Sequence, residues 1–204
     1  MMSTTVPPRA SALSHYPDVS VRASAKEIQS LDVHCKKFIS LSPFCILSTA
    51  TSDAAPDLTP RGGLPGFVFI EDDNTLMIPD RPGNNRLDNL GNLAKNPNVA
   101  LLFMIPGVNE TLRVRGTGSI MTDADLCAKF TENNAAPRSV LKITVTCAFL
   151  HCAKAFMRSN LWSPDAIIDR AELPSMGKML KDQMQSDAPH ETQSEMEARY
   201  LQSL

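Results

Sequence analysis

Two hydrophobic periods alternate along this chain, and their order sets out the expected elements. Ile28, Leu31, Cys35, Phe38 and Ile39 recur at helical spacing behind the capping-box pattern Ser24-Ala25-Lys26-Glu27. They predict a helix over 24–40, ended by Ser42-Pro43. The short apolar run Phe44-Cys45-Ile46-Leu47-Ser48-Thr49-Ala50 predicts a buried strand. Residues 57–63, punctuated by Pro60, Gly62 and Gly63, read as irregular. Strand-like runs at 67–70 and 75–78 flank Glu71-Asp72-Asp73-Asn74, a hairpin signal. Leu87, Leu90 and Leu93 predict a short helix over 85–95, stopped by Asn96-Pro97. A further apolar strand spans 99–105. Residues 111–120 then alternate with period two, Leu112, Val114, Gly116, Gly118 and Ile120 against Arg113, Arg115, Thr117 and Ser119. A helix over 123–133, a strand over 139–150 and a helix over 151–159 complete the pattern.

Strands outnumber helices, and most connections are too short for parallel crossovers. The expected fold is mainly β: an antiparallel sheet closed, or nearly closed, into a small barrel with helices at its ends. Residues 1–22, with three prolines and scattered Ser and Thr, read as a flexible arm, 23–170 as the barrel domain and 171–204 as a helical extension. In that extension Leu173, Met176, Leu180 and Met184 form one stripe, and Met196, Tyr200 and Leu204 a second. Both read as faces that pack on a core or a partner.

Composition narrows the function classes. The chain has 204 residues, 43% of them hydrophobic, and a net charge of −2. A packed core is affordable, and nucleic acid or anionic membrane, which want a basic face, are not expected partners. Cys35, Cys45, Cys127, Cys147 and Cys152 are odd in number without a CxxC, so free buried thiols in a reducing cytoplasm are expected. With no apolar run of membrane-spanning length and no signal-peptide pattern at the N-terminus, the expected location is cytoplasmic.

Candidate chemistry concentrates in one stretch, from Asp57-Leu58-Thr59-Pro60-Arg61-Gly62-Gly63 to Pro79-Asp80-Arg81-Pro82-Gly83-Asn84-Asn85-Arg86. Arg61 and Arg86 sit beside glycines and amides where a strand hands over to a helix, an arrangement that favours phosphate. On residue types alone they are equally well turn residues, with Asn in left-handed positions and Arg86 solvated. The glycines form neither GxGxxG nor a P-loop. Cys147, His151 and Cys152 lack a fourth ligand and a zinc spacing, so no metal site is expected. Arg113 and Arg115 share a strand face. Lys154 to Trp162 is a basic segment ending in the chain's one tryptophan, a stacking platform if exposed and a core residue if not.

The runs SPFCILSTAT, DLTPRGG, LMIPDRPGNNRLDNLGNLAKNPNVALLFMIPG and ETLRVRGTGSI resemble the pyridoxamine 5'-phosphate oxidase-like FMN-binding split barrels, over about residues 35–162. The resemblance implies a six-stranded antiparallel split barrel, a homodimer, and one FMN per subunit at the dimer interface. It implies that Arg61 and Arg86 hold the FMN phosphate, beside Gly62 and with Asn84 and Asn85 where Ser-like residues often sit. It places Thr111 at the flavin ring or ribityl chain, and Arg158, Ser159 and Trp162 over the ring from the partner subunit. Leu101, Phe103 and Ile105 are expected to bury a strand face against that partner. The implied function is a flavin-dependent oxidoreductase acting on an unidentified small molecule. The alternative is a non-catalytic flavin or haem protein, with His34 or His151 as the axial ligand. A vitamin B6 oxidase is not expected, because the C-terminal segment has no Arg-x-His, and Arg170 and Arg199 are its only arginines.

Overall fold

The computed structural model describes residues 15–18, 20–51 and 55–202. Seven strands among them form one antiparallel sheet: β1 (Phe44–Thr49), β2 (Asp57–Gly62), β3 (Phe69–Ile70), β4 (Thr75–Pro79), β5 (Asn98–Met104), β6 (Thr111–Met121) and β7 (Val140–His151). Their spatial order is β2-β1-β5-β6-β7-β4-β3, a curled half-barrel. The barrel class agrees with the expectation. The seventh strand is β2, which its Pro60 and glycines had marked as irregular. Proline is tolerated because β2 is an edge strand paired only to β1, with Arg61 opposite Cys45 and Pro60 opposite Ile46.

Alternating side chains divide the sheet into two faces. Cys45 and Leu47 of β1, Leu101 and Phe103 of β5, and Leu112 and Val114 of β6 all point into the core. Leu101 and Phe103 are 2% and 0% exposed, so they cannot be the partner-facing row expected of them. The outward row on β5 is Ala100, Leu102 and Met104. Burial pushes the core thiols up, Cys35 to about 11 and Cys45 to about 12, although Arg61 offsets a little of the latter. These, with Cys127, are the expected inert thiols; Cys147 is only half-buried and Cys152 is exposed.

The single helix expected over 24–40 is instead α1 (Val21–Ala25) and α2 (Val33–Leu41). Between them Ile28 bridges Ala148 of β7, and Leu31 donates to the Asp73 carbonyl, so tertiary hydrogen bonds override the helical period. Asp32, whose carboxylate accepts from the Cys35 N–H, caps the helix that does form. β7 carries a bulge at Thr146, the extra residue where the register shifts between Arg115 and Gly116 of β6, and a Cβ on Gly116 would lie 2.1 Å from the Thr144 carbonyl oxygen. α3 (Asp88–Lys95) is fixed to the sheet through Thr49, whose hydroxyl accepts from Asn89 at 2.8 Å and Asn92 at 3.1 Å. α4 (Ala124–Ala128) and α5 (Lys154–Ser159) follow β6 and β7.

The C-terminal segment forms α6 (Met176–Gln183) and α7 (Gln193–Leu201), which pack together where Gly177 meets Glu191. Met196 is buried, but Leu173, Met176, Leu180 and Met184 remain exposed. Most of the expected N-terminal arm, residues 1–14, and Leu204 of the second stripe lie outside the described residues. Among the described residues no helix is long and apolar enough to cross a membrane.

Candidate functional site

Two clefts divide the candidate residues between them. The first, of about 960 Å³, opens between the β2 edge, the end of β4, the loop leading into α3 and the loop after α4. It gathers Arg61, Gly62, Asn84, Asn85 and Arg86, as the sequence suggested. It also gathers Arg81, which lies in the same marked stretch but was not singled out, and Arg138, which no motif pointed to. Four arginines against the two carboxylates Asp80 and Glu132 give the lining a net charge of +2, matching a phosphate monoester.

The arginines differ in how they are held. Arg61 points from the core face of β2 and donates through Nη1 to Asp80 Oδ1 at 2.9 Å, with both side chains 22% exposed. One ion pair thus links the loop after β4 to the opposite sheet edge, and leaves the other guanidinium donors of Arg61 for the cleft. Asp80 is itself placed by its N–H, which donates to the Ser139 carbonyl. Arg81 pairs with Glu132 at 2.7 Å. Arg86 pairs with Asp88 at 2.9 Å, with side chains 77% and 54% exposed, a contact that an anion exchanges readily. Arg138 has no ion pair among the described residues.

The loop before α3 departs from expectation. The helix begins at Asp88, three residues later than the period implied, because Asn85 adopts the left-handed conformation (φ 57°) and Asn84 accepts the Arg86 N–H at 3.0 Å. Asn84 and Asn85 therefore shape the turn, and their reading as turn residues holds alongside any ligand contact. The start of α3 carries no side-chain cap, so its first N–H groups stand free beside the cleft. Gly62 has an ordinary conformation, and a Cβ there would make only van der Waals contact, 3.5 Å from the Pro43 carbonyl.

The second cleft, of about 380 Å³, lies on the outer face of the sheet. Strand register builds it: Leu58 opposes Ser48, Ile46 opposes Leu102, Leu102 opposes Arg113, and Thr111 opposes His151. The β2–β1–β5 side is apolar and the β6–β7 side is cationic. Arg113 lies 5.2 Å from the Phe149 ring centre, with Lys26 at 5.1 Å and Arg115 at 5.9 Å. Arg115 is paired with Glu27 at 2.8 Å and also contacts Cys147. Burial, then Lys26 and Arg113, hold the His151 imidazole below its ordinary range.

Thr111 belongs to this second cleft and is absent from the first, so the expected cofactor residues do not converge within one chain. Trp162 is half-buried, donates Nε1–H to the Val108 carbonyl at 2.9 Å, and stacks on Phe156 with ring centres 5.6 Å apart. Phe156 in turn lines the second cleft. Ser159 donates to the Phe156 carbonyl, and Arg158 is exposed. His34 is exposed on α2. Among the described residues no group of three or more His, Cys, Asp or Glu is placed to hold a metal.

A sequence profile of the pyridoxamine 5'-phosphate oxidase family matches residues 31–152, more than half of the chain. The chain belongs to that family. The family region spans β1 to β7 and so contains the whole of the first cleft and all of the second except Ala155 and Phe156. Among solved structures, similar folds include HupZ of Group A Streptococcus, 18% identical, with a TM-score of 0.48 over 59% of this chain and 93% of that one. General Stress Protein 26 of Bacillus anthracis is 21% identical, with a TM-score of 0.42 over 58% and 94%. At these identities the likeness is one of fold alone. No curated protein matches the chain.

Proposed function

We propose that the protein is an FMN-dependent oxidoreductase that works as a homodimer. The observation that carries the reading is the first cleft, in which Arg61 and Arg86 converge with Arg81 and Arg138 beside an uncapped helix start. Such a cleft holds a dianionic phosphate through charge-assisted hydrogen bonds. Asp80 fixes Arg61, so that donor is positioned before any ligand arrives, while Arg86 is released from its exposed pair. Phe67, Phe69, Phe130 and Leu90 supply apolar wall for the less charged part of the cofactor. When bound, a flavin supplies two-electron oxidation and reduction.

The second copy follows from the division of the site. Arg61 and Thr111 sit on opposite faces of the same sheet, and Arg158, Ser159 and Trp162 line neither cleft, so these four residues do not gather around a ligand anchored at Arg61 of the same chain. A partner presenting its own outer face completes the set, and half-buried Met104, which continues the outward row of β5 beyond the second cleft, supports that contact. The role of Trp162 in this arrangement is to stiffen the rim through Phe156, since its N–H is already engaged.

Parallel titration with FMN and with riboflavin tests the proposal. FMN should bind far more tightly than riboflavin, which has no phosphate. Equal affinities, or no binding of either, would refute it.

A further inference from the structure

The second cleft has a graded chemistry that phosphate anchoring does not use. Its β2–β1–β5 side is built from Leu58, Ile46, Ala100 and Leu102, and Phe156 closes one end. Its β6–β7 side carries Arg113 and His151. Lys26 stands over the same Phe149 ring as Arg113. Among the described residues neither Arg113 nor Lys26 has a carboxylate at ion-pair distance, whereas the adjacent Arg115 is neutralised by Glu27. The positive charge at this end is therefore uncompensated. Phe149 is 8% exposed beneath these cations, which fixes Arg113 against an aromatic plane with its donors free. A low-dielectric wall on one side and free guanidinium donors on the other select a ligand with the opposite arrangement.

We propose that this cleft is the substrate site, and that it takes a small carboxylate carried on an apolar body, with Arg113 receiving the carboxylate and the Leu58–Ile46–Leu102 wall the body. That the ligand is a substrate rests on the flavin reading above. The binding itself does not, and the two can fail separately. Arg113 acts here as a specificity residue. A bidentate contact from its planar fork suits a carboxylate, and the ring beneath it prevents the guanidinium from swinging into the apolar half.

The experiment is an NMR or calorimetric titration of the full chain, FMN-free and FMN-loaded, with octanoate and with octanamide, its neutral analogue. Octanoate should bind at least about tenfold more tightly than octanamide, the lower end of what a hydrogen bond to a charged group contributes. Arg113→Gln should abolish that preference, and Arg113→Lys should keep part of it. In the FMN-loaded protein octanoate should also perturb the flavin absorption. Octanoate and octanamide binding alike, or neither binding, in protein that does bind FMN would overturn the proposal and leave the flavin reading intact. An Arg113-dependent preference for octanoate in protein that cannot bind FMN would uphold the carboxylate site and overturn its role as a substrate site. Should Arg113→Gln fail to fold, the octanoate-to-octanamide ratio of the unaltered protein decides.

Discussion

Replacing Arg61 with Ala is the perturbation whose outcome the geometry fixes most closely. Arg61 and Asp80 form a 2.9 Å pair with both side chains 22% exposed, so each is partly shielded from water. The substitution removes a charge-assisted contact to phosphate, worth about 1.5–3 kcal/mol. It also leaves the Asp80 carboxylate unpaired in the cleft wall, where it repels the same phosphate. The expected loss in FMN affinity is therefore at least about 10- to 150-fold. It should exceed the loss from Arg86→Ala, whose abandoned partner Asp88 is 54% exposed and better screened. The double variant Arg61→Ala/Asp80→Asn should recover part of the loss, because the repulsion goes with the charge. The fold should suffer little, since a partly exposed ion pair contributes about 1 kcal/mol or less. Calorimetric titration with FMN and riboflavin, alongside urea unfolding, reads all of these quantities. If Arg61→Ala weakens FMN and riboflavin equally, Arg61 does not face a phosphate and the reasoning fails.

Gly116→Ala should destabilise the protein by about 2–4 kcal/mol in urea unfolding, because its Cβ would collide with the Thr144 carbonyl beside the β7 bulge; a change below about 0.5 kcal/mol would mean the bulge relaxes freely. The His151 imidazole, facing Lys26 and Arg113, has its folded-state proton affinity depressed, so the folded chain binds fewer protons than the unfolded one. Its contribution to stability should be complete above the unfolded value of 6.5 and decline as pH falls through the lower folded value. His151→Gln should flatten that segment of the stability profile, and an unchanged slope would count against the environment described. Met104→Asp, placed in the outward row of β5 outside the second cleft, should convert the proposed dimer to a monomer in sedimentation and reduce FMN affinity with it; a monomeric unaltered protein that binds FMN tightly would rule the shared site out. Aerobic turnover of pyridoxamine phosphate should stay well below about 1 per second. In the C-terminal segment Arg170 is held by the Leu173 and Pro174 carbonyls and by Gln193, and Arg199 by Glu191. Ordinary turnover would show that a second phosphate site is made by residues other than these.

What the sequence made legible was what depends on local pattern. Period-two alternation located β6 and its two faces, and the Gly-Asn-Asn-Arg run marked one wall of the first cleft. What it concealed depends on distant pairing. Nothing near Arg138 distinguishes it from a solvated arginine; it reaches the cleft because the loop after α4 folds back toward β4. The Arg61–Asp80 pair joins the edge strand β2 to the loop after β4, a contact no spacing encodes. The stretch 26–32 carried a helical period, yet its backbone groups found partners on β7 and in the β3–β4 turn, and those bonds decided its conformation. On β5 the inward and outward rows are both apolar, so alternation alone could not say that Leu101 and Phe103 face the core and Leu102 does not.

The central claim, that the arginine-lined cleft holds FMN, is tested most directly by the cofactor content of the purified protein. The account predicts a yellow protein that absorbs at about 450 nm and releases FMN, not FAD, on denaturation. A colourless protein that fails to bind added FMN, or one whose only strong band lies at about 400 nm as for haem, would contradict it.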